Sequence, residues 1–148
     1  MYDKPLIIGS DHAAFQAKEQ LKEFFASRGI EAHDAGCFSE ESVHYPEFAH
    51  KVARAVQSGE FERGVLLCGT GIGMSLAANR FKGVRATLVH DEFTAQACRE
   101  HNDSNLLVMG ARVLDMETMK RLAAIWLETE FAGGRHAIRV AMLDQDVD

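Results

Sequence analysis

Three glycines at alternate positions follow a cysteine near the middle of this sequence, in the run Cys68-Gly69-Thr70-Gly71-Ile72-Gly73. Glycines leave the backbone uncovered, so successive N–H groups can converge on an anion. The spacing differs from the G-x-G-x-x-G of dinucleotide-binding loops, and no Lys-Ser/Thr follows it as in a P-loop. The run therefore predicts either a cradle for an oxyanion or a tight turn that requires positive φ, and it disfavours a nucleotide.

Cys68 ends an apolar run at the point where the glycine loop begins. A thiol beside a helix N-terminus ionises more readily than a free thiol, and the thiolate can accept a proton near neutral pH. Thr70 follows two residues later with a hydroxyl that can both give and take a proton. The alternatives are an inert buried thiol, a cysteine nucleophile that needs a histidine and an orienting group, and a threonine that only caps the loop.

Two histidines have polar neighbours in the sequence, in the pair Asp11-His12 and in the segment His101-Asn102-Asp103. Both segments are candidates for substrate contact. The alternatives are an aspartate that caps a helix beside an exposed histidine, and a histidine that interacts with a helix dipole. None of the seven histidines shows the ligand spacing of an H-E-x-x-H site, so we predict no catalytic metal.

Arginines form a third group of candidate site residues. Arg135 and Arg139 are four residues apart, which in a helix places two positive charges on one face, and a bound anion would relieve their repulsion. Guanidinium groups suit phosphate because each offers a planar fork of donors. Arg112 is a possible third ligand, and a solvated face or ion pairs with nearby acids are the alternative.

A regular framework must position these residues, and the sequence indicates a parallel sheet covered by helices. Short apolar runs alternate with longer amphipathic stretches, which is typical of α/β folds. The predicted strands are residues 5–10, 30–34, 63–68, 84–89 and 105–109, of which 30–34 is the weakest. In such sheets ligands bind at the carboxyl ends of the strands. We therefore expect the loops after the first, third and fifth strands to carry the chemistry.

Capping and stop signals bound the predicted helices. Gly29 ends the first helix in a left-handed cap, and Pro46 marks the start of the second. Asp91 and Asp115 are N-caps of two further helices. A C-terminal helix follows the last two glycines of the chain. The predicted fold is a three-layer α/β/α arrangement around a five-stranded parallel sheet.

Length and composition limit the function classes. The 148 residues fit one domain over residues 1–148. A net charge of -6 argues against a nucleic-acid partner, because such binding depends on neutralising phosphates. No apolar stretch approaches the ~20 residues that cross a bilayer, which predicts no membrane partner. For the same reason we expect a cytoplasmic location. The three cysteines form no C-x-x-C pair, so we expect reduced thiols.

Taken in order, these motifs make the chain similar to ribose-5-phosphate isomerase type B over essentially its whole length. The most specific segments are Asp11-His12-Ala13-Ala14-Phe15, Tyr45-Pro46, the glycine loop, Asn79, His101-Asn102-Asp103 and Gly133-Gly134-Arg135-His136. The resemblance implies a Rossmann-like fold, a phosphorylated sugar as ligand, and no metal or other cofactor. It also implies a homodimer or a dimer of dimers with sites at the subunit interface.

The resemblance assigns roles by position. Cys68 would be the base that moves a proton between C2 and C1 of the sugar, while the amides of residues 69–73 hold an enediolate. Thr70 would pass a proton between the two oxygens, and His101 with Asp11 would open the sugar ring. The groups that hold the phosphate or complete the pocket would be His12, Tyr45, Asn102, Arg112, Arg135 and Arg139.

Two positions depart from the family pattern: Ala14 replaces a glycine, and His44 replaces an aspartate before Tyr45. Imidazole can donate a hydrogen bond and carboxylate cannot, so the preferred sugar stays open among ribose, allose, galactose and tetrose phosphates. Two rival functions are a phosphosugar-binding module without turnover and one subunit of a two-chain galactose-6-phosphate isomerase. Cys68 and Thr70 favour an enzyme, because a binding module gains nothing from a thiol beside its anion donors.

Overall fold

Five parallel strands form one sheet in the computed structural model, which describes residues 2–147. The strands are β1 Leu6–Ser10, β2 Ala32–Asp34, β3 Gly64–Cys68, β4 Ala86–Leu88 and β5 Leu106–Gly110. Their spatial order is β2-β1-β3-β5-β4, so the first, third and fifth strands are neighbours in the centre. All five predicted strands are confirmed, and the loops expected to carry the chemistry follow adjacent strands.

Six helices and one 3-10 turn connect and cover the strands. They are the turn His12–Ala14 and the helices α1 Phe15–Ser27, α2 Tyr45–Gln57, α3 Ile72–Ala78, α4 Glu92–Asn102, α5 Met116–Glu128 and α6 Arg135–Leu143. The predicted N-caps are confirmed, since Asp91 accepts from the Thr94 N–H and Asp115 from the Thr118 N–H, each at 2.8 Å. Across residues 2–147, no helix has the length and apolar character that a membrane crossing requires.

Side chains that alternate along the central strands build two cores, one on each face of the sheet. On β1, Leu6 and Ile8 point to a core that contains Trp126 and is covered by α1, α4 and α5. Ile7 points to the opposite core, where Met74 of α3 packs together with residues of α2. This alternation has the period of two that an extended strand imposes. The three-layer α/β/α fold is thereby confirmed, and α6 packs outside it against α4.

Candidate active site

The glycine loop continues directly from β3 into α3 and encloses the sulfur of Cys68. Gly71 has a φ of +82°, a left-handed conformation that disfavours any residue with a Cβ, and it is the N-cap of α3. This turn directs the Gly71 N–H at Cys68 Sγ, with a distance of 3.1 Å from N to S. Thr70 Oγ1 accepts the next N–H, that of Ile72, at 3.2 Å. Two amides of the predicted cradle therefore bind the two side chains expected to move protons.

Cys68 is buried, whereas the loop that follows it is partly open. Only 6% of Cys68 is exposed, but Thr70 is exposed and Ile72 is 54% exposed. The sulfur accepts a hydrogen bond from the Gly71 N–H on the side where the loop begins. A ligand can approach from the loop side, while the core behind the sulfur excludes water.

Tyr45 and Arg112 lie directly on this loop, and glycines make room for them. A Cβ at Gly73 would lie 2.4 Å from Tyr45 Cε1, so the ring requires a glycine there. A Cβ at Gly69 would lie 3.3 Å from Cδ of Arg112. The Arg112 N–H also donates to the Gly69 carbonyl at 2.9 Å, which joins the loop after β5 to the loop after β3. These contacts bring a phenol and a guanidinium to the rim of the cysteine site.

Asp11 and His12 come from the end of β1, the strand next to β3. The Asp11 N–H donates to the Leu67 carbonyl at 3.2 Å, and Asp11 Oδ1 accepts from the Ala14 N–H at 3.2 Å. Nδ1 of His12 accepts the backbone N–H of Val43 at 3.1 Å. In neutral imidazole this bond places the proton on Nε2, which is then a hydrogen-bond donor. Asp11 thus does act as a cap, and the tautomer of His12 is determined by its neighbour.

A buried charge cluster anchors the segment that supplies Val43. Lys18 is fully buried and its Nζ lies 2.6 Å from Oδ2 of Asp34, to which Lys22 also donates at 2.8 Å. Burial opposes the ionisation of Asp34, but hydrogen bonds from the two lysines outweigh it and lower the pKa of the carboxyl. The other oxygen of Asp34 accepts the Gly36 N–H at 2.8 Å. The ionised Asp34 therefore holds the start of the segment that reaches His12.

His101 and Asn102 lie at the amino edge of the sheet, where the parallel strands begin, whereas Cys68 lies at the carboxyl edge, where they end. Cys68 pairs with Gly110 at the carboxyl ends of the strands, whereas His101 and Asn102 end α4 just before β5 begins. The two edges are separated by roughly 13 Å, the length of four strand residues at about 3.3 Å each. Within one chain, the structure therefore does not bring His101 to Cys68 or Asp11.

Arg135 and Arg139 belong to the same edge as His101. Both are exposed on α6, and the start of α6 is tied to the end of α4 by the Ala132 N–H, which donates to the Glu100 carbonyl at 3.1 Å. The ring of His136 stacks on His101 with the ring centroids 4.5 Å apart and the planes at 18°. Four of the predicted site residues therefore form a second cluster.

His136 also belongs to this second cluster, although the sequence predicts no role for it. Desolvation in the stack lowers the pKa of His136 below its ordinary value, and the nearby charges of His101, Arg135 and Arg139 lower it further. Its only sequence signal was its place in the segment Gly133-Gly134-Arg135-His136. The stacking depends on the packing of α6 on α4, which no local pattern encodes.

The predicted site residues thus fall into two clusters, one at each of these two edges of the sheet. The carboxyl-edge cluster contains Asp11, His12, Tyr45, residues 68–73 and Arg112. The amino-edge cluster contains His101, Asn102, Arg135, His136 and Arg139. In the described part of the chain, no group of three or more His, Cys, Asp or Glu side chains is arranged to hold a metal ion.

Comparison with known proteins identifies the family of this chain. Residues 6–143 match the family described as Ribose/Galactose Isomerase. The chain belongs to that family. A putative sugar phosphate isomerase of Bacillus subtilis (strain 168) is 49% identical over 137 residues, which are 92% of this chain and 92% of the relative. Ribose-5-phosphate isomerase B of Escherichia coli (strain K12) is 42% identical over 93% of this chain and 92% of its own length.

A solved structure of the family has the same fold. Ribose-5-phosphate isomerase B of Clostridium thermocellum superposes with a TM-score of 0.93 and 44% sequence identity, covering 95% of each chain. The resemblance noted in the motifs is thus confirmed over the length of the chain. This chain and the Clostridium thermocellum protein therefore share the Rossmann-like three-layer architecture.

Proposed function

We propose that the protein interconverts ribose 5-phosphate and ribulose 5-phosphate, as an aldose–ketose isomerase that uses Cys68 as its base. The observation that carries the proposal is the position of Cys68 Sγ, at the end of a central strand and 3.1 Å from the Gly71 amide nitrogen, in a chain of this family. A sulfur held in this way has a fixed place at the end of a strand, as a general base that removes a proton from carbon requires.

The proton transfers balance without a cofactor. The Cys68 thiolate takes the proton from C2 of the open-chain aldose, and the electron pair moves into an enediolate. Thr70 carries a proton between O1 and O2, for which its hydroxyl can act as both donor and acceptor. Cys68 then returns its proton to C1, which gives the ketose and regenerates the thiolate. N–H dipoles of the glycine loop other than the two that bind Cys68 Sγ and Thr70 Oγ1 stabilise the charge that develops on oxygen.

The active site would combine the carboxyl edge of one subunit with the amino edge of another. One chain alone keeps the two clusters at opposite ends of the sheet, yet ring opening by His101 with Asp11 and phosphate binding by Arg135 and Arg139 need both. Large apolar side chains lie exposed near each cluster, namely Ile72, Leu76 and Val113 near the first and Ile138 and Met142 near the second. A homodimer or a dimer of dimers would bury such surface and complete the site.

The polar groups beside Cys68 support a phosphorylated substrate, and the free cysteines support a cytoplasmic location. His12 with its Nε2–H, together with Arg112, offers donors and positive charge at the rim of the Cys68 loop, which suits a phosphorylated sugar. All three cysteines are free, as is usual in the reducing cytoplasm, where we place the protein. His44 is exposed beside Tyr45, and its imidazole can donate a hydrogen bond to a sugar hydroxyl. Another aldose phosphate is therefore the alternative substrate.

The direct test is an isomerase assay on purified protein after exhaustive chelation, with ribose, allose, galactose and tetrose phosphates as substrates. We expect turnover of ribose 5-phosphate without added metal and an assembly of at least two subunits in light scattering. Binding of the sugars without turnover would identify a binding module instead. Turnover that vanishes with chelator and returns with a divalent ion would contradict the metal-free mechanism.

A further inference from the structure

Arg85 lies just before β4 and binds the ends of two helices at once. Its Nε donates to the Asp103 carbonyl at 3.0 Å, and its Nη2 lies 3.6 Å from Oδ2 of the same residue. Its Nη1 donates to both carboxylate oxygens of Asp144, at 3.2 and 2.9 Å. The side chain is only 17% exposed, so solvent competes little for these bonds. A planar fork of donors can make such contacts together, and a lysine cannot.

Asp103 determines how α4 ends. It is the C-cap of the helix, and its φ of +48° is unusual for a residue with a side chain. Arg99 donates to Oδ1 of Asp103 at 2.8 Å, so two arginines hold this residue. His101 and Asn102 are the two residues immediately before it. The contacts of Asp103 therefore determine where these two side chains leave the helix.

Asp144 occupies the corresponding place on α6. It is the C-cap of that helix, and its N–H donates to the Val140 carbonyl at 3.2 Å. The start of α6 is already tied to α4 through Ala132 and the stacked histidines. Binding of Asp144 by Arg85 secures the other end, so the helix that carries Arg135 and Arg139 is held at both ends.

We propose that Arg85 is a positioning residue for the amino-edge cluster, which it holds ready for the active site of a second subunit. This inference rests on the proposed function, because the cluster acts on substrate only across an interface. The guanidinium of Arg85 binds Asp103 and Asp144, so it acts on substrate through the two helices that these residues end. It aligns the ring-opening residue on α4 with the phosphate-binding residues on α6 by joining the C-terminal ends of both helices.

The first experiment compares Arg85→Gln with the matched variant Lys82→Gln. Both remove one positive charge, but Lys82 pairs with Asp146 beyond the end of α6, and both partners are more than half exposed. We expect Arg85→Gln to lower kcat/KM by about a hundredfold, the loss that a displacement of about 1 Å can cause. Lys82→Gln should retain wild-type kinetics. Wild-type kcat/KM in a folded Arg85→Gln protein would overturn the proposal.

Mixed dimers then show through which subunit Arg85 acts. A dimer of one Cys68→Ala subunit and one Arg85→Gln subunit, isolated with two affinity tags, keeps one site whose two halves are both intact. We expect about half of wild-type activity, since a two-fold dimer has two equivalent sites. An inactive mixed dimer would place the effect of Arg85 within its own subunit's cysteine site and overturn the proposal.

A control pair separates this outcome from a failure of the proposed function. The mixed dimer of Cys68→Ala and His101→Ala should also recover about half of wild-type activity. If this pair is inactive, the shared site itself is wrong, and the role of Arg85 across the interface falls with it. If this pair is active and the Arg85 pair is not, the shared site stands and only the positioning role is overturned.

Asp144→Asn tests the same contact with a milder change, in case Arg85→Gln does not fold. Without its charge, residue 144 holds Arg85 more weakly, so α6 loosens while α4 keeps both of its arginine contacts. We expect a few-fold rise in KM with kcat nearly unchanged, because α6 carries the phosphate-binding arginines. Circular dichroism and the Tm should show a folded protein. An unchanged KM, or a fall in kcat alone, would contradict the proposal.

Discussion

The two edges of the sheet carry different kinds of functional group. At the carboxyl edge, Cys68 is 6% exposed and is held by backbone N–H groups of a loop whose glycines allow no other residue at Gly71 or Gly73 without displacement of neighbours. At the amino edge, His101, Arg135 and Arg139 are exposed on the ends and faces of helices. At the carboxyl edge the atom proposed to transfer protons is buried and held by the backbone, whereas at the amino edge the functional groups are exposed side chains.

This difference indicates that proton transfer and phosphate binding place different demands on the site. Proton transfer at carbon needs an atom in a fixed place away from water, and a buried sulfur at a strand end meets that need. Capture of a phosphate needs charge that is accessible before the ligand arrives. We therefore expect substitution of Cys68 to act on kcat, and substitution of Arg135 or Arg139 to act on substrate binding.

The largest effect is expected for Cys68→Ala. Loss of a general base commonly costs about a hundred- to ten-thousandfold in rate, so kcat should fall by that factor while substrate binding changes little. Steady-state kinetics and calorimetric binding of ribose 5-phosphate measure the two quantities. Cys98→Ala is the matched control, because Cys98 is equally buried but lies on α4. A kcat near that of the wild type would remove Cys68 as the base.

Arg135→Ala and Arg139→Ala should act mainly on KM. Each charge-assisted hydrogen bond to phosphate is worth ~1.5–3 kcal/mol, which corresponds to roughly a ten- to hundredfold rise in KM. Arg121→Ala is the control, since Arg121 is an exposed arginine that pairs with Glu92 on another helix. If both variants keep the wild-type KM, these arginines are solvated surface charges and the contrast between the edges fails on this side.

A smaller and selective effect is expected for His44→Asp. His44 is the exposed N-cap of α2 and makes no side-chain cap bond, whereas an aspartate there would cap the helix and stabilise it by about 0.5–2 kcal/mol. Beside Tyr45 the exchange should also change the ratio of kcat/KM between tetrose, pentose and hexose phosphates. The matched control is His33→Asp on the edge strand β2. A common factor for all three substrates would exclude a role in specificity.

The smallest effect concerns the protonation of His136. Desolvation and the charges of His101, Arg135 and Arg139 lower its pKa, so the folded state keeps His136 neutral below the ordinary value of ~6.5. The unfolded chain binds the extra proton first as the pH falls, so this group's contribution to stability is present above about pH 6.5 and is lost below it.

An NMR titration checks this assignment in the wild type and in His101→Asn. Removal of the stacked ring takes away both a covering group and a positive charge, so the pKa of His136 should move back toward its ordinary value. His33→Asn should leave it unchanged, because His33 packs on Phe61 at a different place in the fold. A His136 pKa that is the same in all three proteins would show that the stack has no electrostatic effect.

Local patterns were sufficient to predict the framework. Apolar runs predicted every strand, and Asp91 and Asp115 were recognised as N-caps because capping involves only residues three positions apart. The carboxyl-edge site was predictable for a related reason. Its residues follow three strands, and parallel strands bring their carboxyl ends to one edge of a sheet in any α/β fold.

The sequence by itself thus determined the sheet, the helices, the family and the position of Cys68 beside its glycine loop. Only the tertiary structure decided that His101 lies at the opposite edge from Cys68, that its ring stacks on His136, and that Arg85 joins α4 to α6. The physical reason is the distance along the chain. Periodicity and capping depend on neighbours within a few residues, whereas these contacts join side chains up to 59 positions apart and exist only once the crossovers and the packing of the helices are in place.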